Sequence, residues 1–396
     1  MTNYSTDRVN YSAPAQLPSP LAYLDQGSFM GDPSLTVTLT DGTYTPRIYV
    51  STTAGHSNSP SGQSGVYVYG TANGGQTWEG PIEVAVNGDA NVYFDQSTMT
   101  TSWATNSNTA GMKFTAYVLY NLYDRNQGEI RIRRSRSPIF CFGRCHAVCP
   151  CVPSFDAEVT VATGNVASPQ VAVDATGAVH VTYVRYALNV TTDPSTIEEA
   201  VSNVPADPST ENISFGSPML VAYLCTVSGN HIYPSMPAFT VPRMRYDAVA
   251  DKICMTWHGT DVPGGTITQV YFASRPVVNG SWPGSLIAPI FSVVGRDLFM
   301  PALDADESGN ILLGWYDRRD SGSNLEYRPY AAYISTSGGI ILGPTAISSI
   351  SSVPSSYFIG DYHEIWRHNY HDGARWNDAW IAHPGFPGEV YVTDIR

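Results

Sequence analysis

Two phrases of this chain end on the same carboxylate, Phe29-Met-Gly-Asp32 and Phe358-Ile-Gly-Asp361. Neighbouring carboxylates push one pKa up, so that one can serve as acid and the other as base. Such oxygen-rich groups equally suit a hard cation, for which calcium is the natural choice, and a purely structural role is the third reading. Asp361 opens the chain's densest polar and aromatic run, Asp361-Tyr-His-Glu-Ile-Trp-Arg-His-Asn-Tyr-His371. Within it Tyr362 and His363 are proton-transfer groups of the kind that act beside a carboxylate. The spacing from His363-Glu364 to His368 misses the helical zinc motif by one residue and lies in a strand pattern, so no metal site is assigned.

These residues need a frame, and internal repetition supplies it. Turns built on Asp or Asn leading to Gly recur at Asp41-Gly42, Asn108 to Gly111, Asp174 to Gly177, Asp306 to Gly309 and Asp372-Gly373; Asp247 to Asp251 is a version without Gly. Asn, Asp and Gly tolerate the positive backbone angles that such turns demand. Before each turn stands a short apolar strand, such as Pro169-Gln-Val-Ala-Val173. After it comes an alternating strand that ends in an aromatic, such as Ile253-Cys-Met-Thr-Trp257 or Ile311-Leu-Leu-Gly-Trp315. A third strand and a Gly-rich closing segment follow. Six units of four antiparallel strands predict an all-β fold, a six-bladed β-propeller occupying residues 1–396 as one domain. The last unit stops after its third strand, Glu389-Val-Tyr-Val-Thr393, and Ala13 to Tyr23 is expected to supply the fourth and close the ring. Two irregular stretches are set apart, a Cys-rich loop at 138–153 and a loop insertion at 194–214. The best helical candidate is Ser195-Thr-Ile-Glu-Glu-Ala-Val201.

In such a frame the inner strands start, and the second strands end, around one axial rim. The inner strands deliver Asp32, Asp95, Gln170, Arg243, Ala302 and Asp361 there; the second strands deliver Arg185, His258, Asp317, Arg318, Arg319 and His383. The candidate catalytic set is therefore Asp32, Asp361, Tyr362 and His363, with Arg243, Arg319, His258, Asp95 and Arg185 as substrate-binding residues. Turn caps and ion pairs between blades are the competing explanation for these side chains. The set differs from blade to blade, which favours one specialised site over the repeated sites of a lectin.

The turn Thr71-Ala-Asn73-Gly-Gly75-Gln-Thr77-Trp78 resembles the Asp-box (BNR repeat) of the sialidase superfamily, with Ser335-Thr-Ser337-Gly-Gly339 as a fainter echo. The phrases from Phe299 to Arg319 and from Phe358 to Tyr362 look like exported propellers of that group. The resemblance implies a propeller whose Asp-boxes stabilise turns on the face opposite the active site. It also implies an arginine triad whose first member lies in an Arg-Ile-Pro motif. Here Arg47-Ile48-Tyr49 is a poor match to that motif, with Tyr in place of Pro.

Composition narrows the partners. A net charge of −13 excludes a nucleic-acid role, and no apolar run reaches the ~20 residues of a membrane-spanning helix. Arg131 to Arg136 reads as a charged strand edge, or else as a patch for self-assembly together with the Cys-rich loop. Cys141, Cys145, Cys149 and Cys151 are expected to form two local disulfides, with a zinc site as the rival; Cys254 reads as inert core. Five Asn-x-Ser/Thr triplets, at Asn3, Asn10, Asn189, Asn212 and Asn279, together with scarce Lys favour a secreted or cell-surface protein. The functional expectation is a carbohydrate-processing propeller, either a glycoside hydrolase or a polysaccharide lyase. A non-catalytic glycan-binding or surface-assembly propeller is the alternative.

Overall fold

The computed structural model describes residues 17, 28–38, 47–56, 64–71, 73, 75–89, 91–104, 113–124, 127–135, 155–188, 193–205, 211–225, 231–232, 236–237, 240–263, 265–285, 287–349, 351–352, 363–370, 373–382 and 389–395. All the regular structure among them is β. The chain forms two compact units, one of Met1–Val179 with Val201–Gly216, the other of His180–Ala200 with Ser217–Arg396.

The first unit holds two up-and-down antiparallel sheets of four strands. One runs in the order β1 (Ser28–Thr38), β2 (Arg47–His56), β3 (Ser64–Thr71), β4 (Glu79–Asn87). The other runs β5 (Val92–Ala104), β6 (Lys113–Asp124), β7 (Gln127–Arg134), β8 (Val159–Gly164). Strand β9 (Val166–Val173) follows. Val66, Val68, Val84, Phe94, Met99, Val118, Tyr120 and Leu122 build the core. Each fully buried side chain of this kind contributes about 1.5–3 kcal/mol.

The second unit continues the plan. Strands β10 (Val179–Arg185), β11 (Ser195–Val201) and β12 (Met219–Leu224) are successive neighbours, and β13 (His231–Ile232) pairs with β14 (Met236–Pro237). Then come the meanders β15 (Arg243–Asp247), β16 (Lys252–Gly259), β17 (Gln269–Pro276) and β18 (Leu298–Ala305), β19 (Asn310–Asp317), β20 (Arg328–Ser335), β21 (Ile340–Ala346). The last is β22 (Glu364–Tyr370), β23 (Gly373–Ala382), β24 (Glu389–Ile395). Cys254, Val270, Phe291, Leu303, Ile311, Leu313 and Trp315 form its main core, so Cys254 is core as expected.

Among the described residues, the Asp-led turns behave as their residues dictate. Asp174 Oδ1 accepts hydrogen bonds from the backbone of Thr176 (2.8 Å) and Ala178 (3.0 Å), and Gly177 takes φ +89°. Asp306 Oδ1 repeats this with Ser308 (2.7 Å) and Asn310 (2.8 Å). In the version without Gly, Asp251 itself adopts φ +50°. At the other connection Asn73 Oδ1 accepts from the Thr77 amide (3.0 Å), and Thr71 Oγ1 accepts from the Gly75 amide (3.1 Å).

Two expectations are corrected. Ser195–Val201 is strand β11, not a helix, and the loop insertion expected at 194–214 therefore opens with a strand. Its buried positions alternate along Ser195, Ile197 and Glu199, which is the two-residue period of a sheet. The described part of the arginine run, Arg131 to Arg134, is not an edge. It lies in β7, between β6 and β8, where Arg134 is 1% exposed and pairs with Asp156 at 2.6 Å, while Arg131 pairs with Glu129 and Glu158; Arg136 lies outside the described residues. The four clustered cysteines lie outside the described residues, as does Ala13–Tyr23 apart from Leu17, which packs against Ala54, Tyr67 and Tyr69.

Candidate functional site

Two strand ends in the second unit meet the backbone of one residue, Met300, and a third reaches the same cluster. Strand β18 carries a bulge between Phe299 and Ala302, and Met300 sits in it at φ +49°, a conformation that an unbranched L-residue holds only at a cost of about 1–3 kcal/mol. Bulges of this kind re-aim backbone and side chains beside functional sites. The Met300 amide faces His258 Nδ1 at 3.3 Å, and the Met300 carbonyl faces His363 Nδ1 at 2.9 Å. These partners assign opposite tautomers. His258 Nδ1 must accept, so the ring proton is on Nε2; His363 Nδ1 must donate, so Nε2 is its basic nitrogen. Arg243, at the start of β15, directs Nη2 at the His363 carbonyl (3.2 Å).

Packing fixes the cluster from behind. The His363 ring stacks on Tyr316 with centroids 4.8 Å apart. Tyr316 packs against Phe299, and Arg318 lies over the Phe299 ring at 5.4 Å while its Nη1 bonds Asp297 at 3.1 Å. Burial lowers the Arg318 pKa and the Asp297 carboxylate works against that fall. Thr240 donates to the His258 carbonyl at 3.0 Å, fixing the end of β16. His258 and His363 are each 1% exposed and Arg243 is 7% exposed. Buried polar groups of this density hold one another in place and act as a unit.

No family model and no curated protein matches the chain. Its fold is similar to those of several solved propeller glycosidases. An α-L-arabinofuranosidase from Fusarium graminearum with an iminosugar inhibitor shares 11% identity over 92% of each chain, with a TM-score of 0.44. An endo-arabinase from Bacteroides thetaiotaomicron shares 12% over 92% of this chain and 93% of that one, at 0.39. A Hadza microbial sialidase shares 12% over 79% of this chain and 56% of its own, at 0.43. Likeness at this level leaves the chemistry to this chain's own residues.

Among the residues expected at the rim, the structure thus brings Arg243, His258 and His363 together. Arg319 is engaged elsewhere: its Nε and Nη2 bond Asp317 Oδ2 at 2.9 and 2.7 Å, and it lies 4.4 Å over the Tyr330 ring. Asp317 also accepts from Trp315 Nε1 at 2.8 Å. Arg185 forms a two-pronged pair with Glu198 at 2.8 and 3.0 Å. That hydrogen bond leads the causes that raise the Arg185 pKa. Asp95 lies in the first unit at the bulge of β5, where its carboxylate accepts from the Gln96 amide at 2.9 Å. Asp32 follows Gly31 at the bulge of β1, also in the first unit. Asp361 and Tyr362 lie outside the described residues.

Two features escaped sequence reasoning. Met300 contributes only backbone, for which its side chain gives no signal. The second is a buried charge network at the opposite strand ends. Glu199 Oε1 meets His180 Nδ1 at 2.8 Å and Arg275 Nη2 at 2.8 Å, while Oε2 accepts from Arg275 Nε (2.8 Å) and Trp282 Nε1 (2.5 Å). Burial acts to raise the Glu199 pKa, but the bonds from His180 and Arg275 outweigh it and leave it lowered.

Proposed function

We propose that this chain is a six-bladed, exported β-propeller that processes glycans, acting through Arg243, His258 and His363 with Asp361 and Tyr362 just upstream. The observation that carries the reading is the pair of buried imidazoles of opposite tautomer gripping the strained Met300 backbone beside an arginine. A cluster ordered in this way is what positioning a reacting sugar requires.

Of the two reaction classes, eliminative cleavage of an acidic polysaccharide fits the residues better. Hydrolysis calls for two carboxylates in acid and base roles. Asp317, the carboxylate that ends β19, is already engaged by Arg319 and Trp315. A lyase needs a base and a cation. His363 Nε2 would take the proton from the carbon next to the uronate carboxylate, and Arg243 would neutralise the charge that develops on that carboxylate. The electron pair then forms the ring double bond and expels the glycosidic oxygen, which takes up a proton. Export is supported by Asn212 and Asn279, acceptor-type asparagines that are both exposed. The test is incubation with acidic and neutral polysaccharides, reading unsaturated-uronate absorbance and reducing ends together. Elimination raises both signals, hydrolysis raises reducing ends alone, and neither signal from any glycan rejects the reading.

A further inference from the structure

The first unit carries an aromatic platform at the end where β5 begins, β6 ends and β7 begins. The antiparallel register puts Tyr93 opposite Tyr123, and Tyr123 opposite Gly128, in one row across the three strands. Gly128 has no side chain, and the Tyr123 ring lies over it: a Cβ there would stand 3.3 Å from Tyr123 Cε1. A ring that covers a cross-strand glycine fills the gap the missing side chain leaves, which accounts for Tyr123. It does not account for Tyr93, whose ring stacks on Tyr123 with centroids 4.8 Å and planes 19° apart, yet stays 49% exposed. Stacking covers one face of the Tyr93 ring, so that exposure belongs to its other face and its edge.

The frame around the platform is polar and fixed. Asn121, two residues before Tyr123 on β6 and 0% exposed, donates Nδ2 to Tyr123 Oη at 3.1 Å and to Gln96 Oε1 at 3.0 Å. Those bonds set the tilt of the Tyr123 ring and with it the stack. Along β5 burial alternates, Tyr93 exposed, Phe94 buried and Asp95 half-buried, so Asp95 shares the face of Tyr93. Its carboxylate is felt there: burial first and Asp95 second push the Tyr93 phenol pKa up, which keeps the phenol a neutral donor. The site therefore combines a flat apolar face, a hydroxyl and a carboxylate acceptor. A pyranose has the matching design, with C–H bonds on one face, drawn to the negative face of an aromatic ring, and hydroxyls around its rim. A carboxylate accepts strongly from such hydroxyls but repels a uronate.

We infer that Tyr93, with Asp95 beside it, binds a neutral sugar residue of a glycan chain, the sugar ring stacking on Tyr93 and its hydroxyls donating to Asp95. The inference rests on the glycan reading for its class of ligand. It goes beyond that reading in naming a second contact, outside the histidine cluster and of opposite charge preference. A polysaccharide that intersperses neutral residues among its uronates would offer both.

The experiment titrates cellohexaose, xylohexaose and mannohexaose into the whole protein by calorimetry, in parallel with the cleavage assay above. At least one hexasaccharide is expected to bind. Tyr93→Ala, at an exposed position, should weaken it about tenfold while melting like the parent, and Tyr93→Phe, which keeps the ring, should stay within about threefold. Asp95→Asn, whose amide oxygen can still accept from the Gln96 amide, should weaken it about fivefold because the acceptor loses its charge. No binding of any of the three by the folded parent, or unchanged affinity in folded Tyr93→Ala or Asp95→Asn, would overturn the inference; if the parent still cleaves a polysaccharide, the glycan reading stands without it. Binding that is lost in Tyr93→Ala while no glycan is cleaved supports the inference and counts against the cleavage reading alone.

Discussion

Replacing Glu199 by Gln should destabilise the second unit severely, although the two side chains have nearly the same shape. Glu199 is 0% exposed, and its two oxygens meet four partner nitrogens on His180, Arg275 and Trp282. The amide keeps one acceptor oxygen and turns an NH₂ donor towards donors, while the Arg275 guanidinium, 3% exposed, loses its counter-charge. Removing one partner of such a buried pair costs about 3–5 kcal/mol, mostly from the stranded charge. For a unit of this size each kcal/mol moves Tm by about 2–4 °C, so a fall of roughly 6–20 °C is expected by calorimetry at pH 7. Replacing both partners, as Glu199→Leu with Arg275→Met, should cost less than the sum of the two single changes, because no charge is left behind. The sign with pH follows from the lowered Glu199 pKa. Its stabilisation is full above the ordinary carboxylate range and is lost as pH falls through the folded value, so parent and Glu199→Gln should converge in acid. A Tm change below about 2 °C at pH 7 would refute this account of the network.

Gly128→Ala would bring a Cβ within 2.5 Å of the Val166 carbonyl oxygen, a backbone atom that cannot step aside. A loss of about 1–3 kcal/mol is expected in urea melts, and an unchanged midpoint would show that β7 can shift. Burial, and then the charge of Asp247, push the Cys254 thiol up to about 12. It should therefore resist iodoacetamide at pH 8 in the folded protein and react once denatured, as peptide mass mapping would show; rapid alkylation in the native state would contradict its place in the core.

Much of the framework was legible because turn chemistry is local. Asp174 and Asp306 cap their own turns with their own carboxylates, so neighbouring residues sufficed to find them. Strand β11 was misread because Glu198 and Glu199 look like a solvated helix face. Glu199 is buried only because Arg275 arrives from β17, a contact no local pattern contains. The arginine run was misplaced for a similar reason: β8, the strand that covers β7, begins only at Val159, beyond the Cys-rich stretch. Aligning strand ends placed Arg243, His258 and His363 at the ends of their strands, where they lie, since a four-strand repeat dictates where strands begin and end. It could not find Met300, whose contribution is a bulged backbone. The Phe-Met phrase that repeats at Phe29-Met30 and Phe299-Met300, each beside a bulge, is the one hint the residues carried. Nor could it foresee that Arg185 and Arg319 would be held by Glu198 and Asp317.

The most direct test of the central claim compares the parent protein with Arg243→Gln and His363→Gln on the polysaccharide that the parent cleaves or binds best. Unsaturated-uronate release and affinity are read side by side, and thermal melts confirm folding. If His363 is the base, its replacement should cut turnover at least about 100-fold while affinity changes little. Arg243→Gln should weaken both affinity and turnover, because the arginine holds the carboxylate in the ground state as well. Folded variants that bind and cleave as the parent does would contradict the account, and would move the active centre away from the histidine pair.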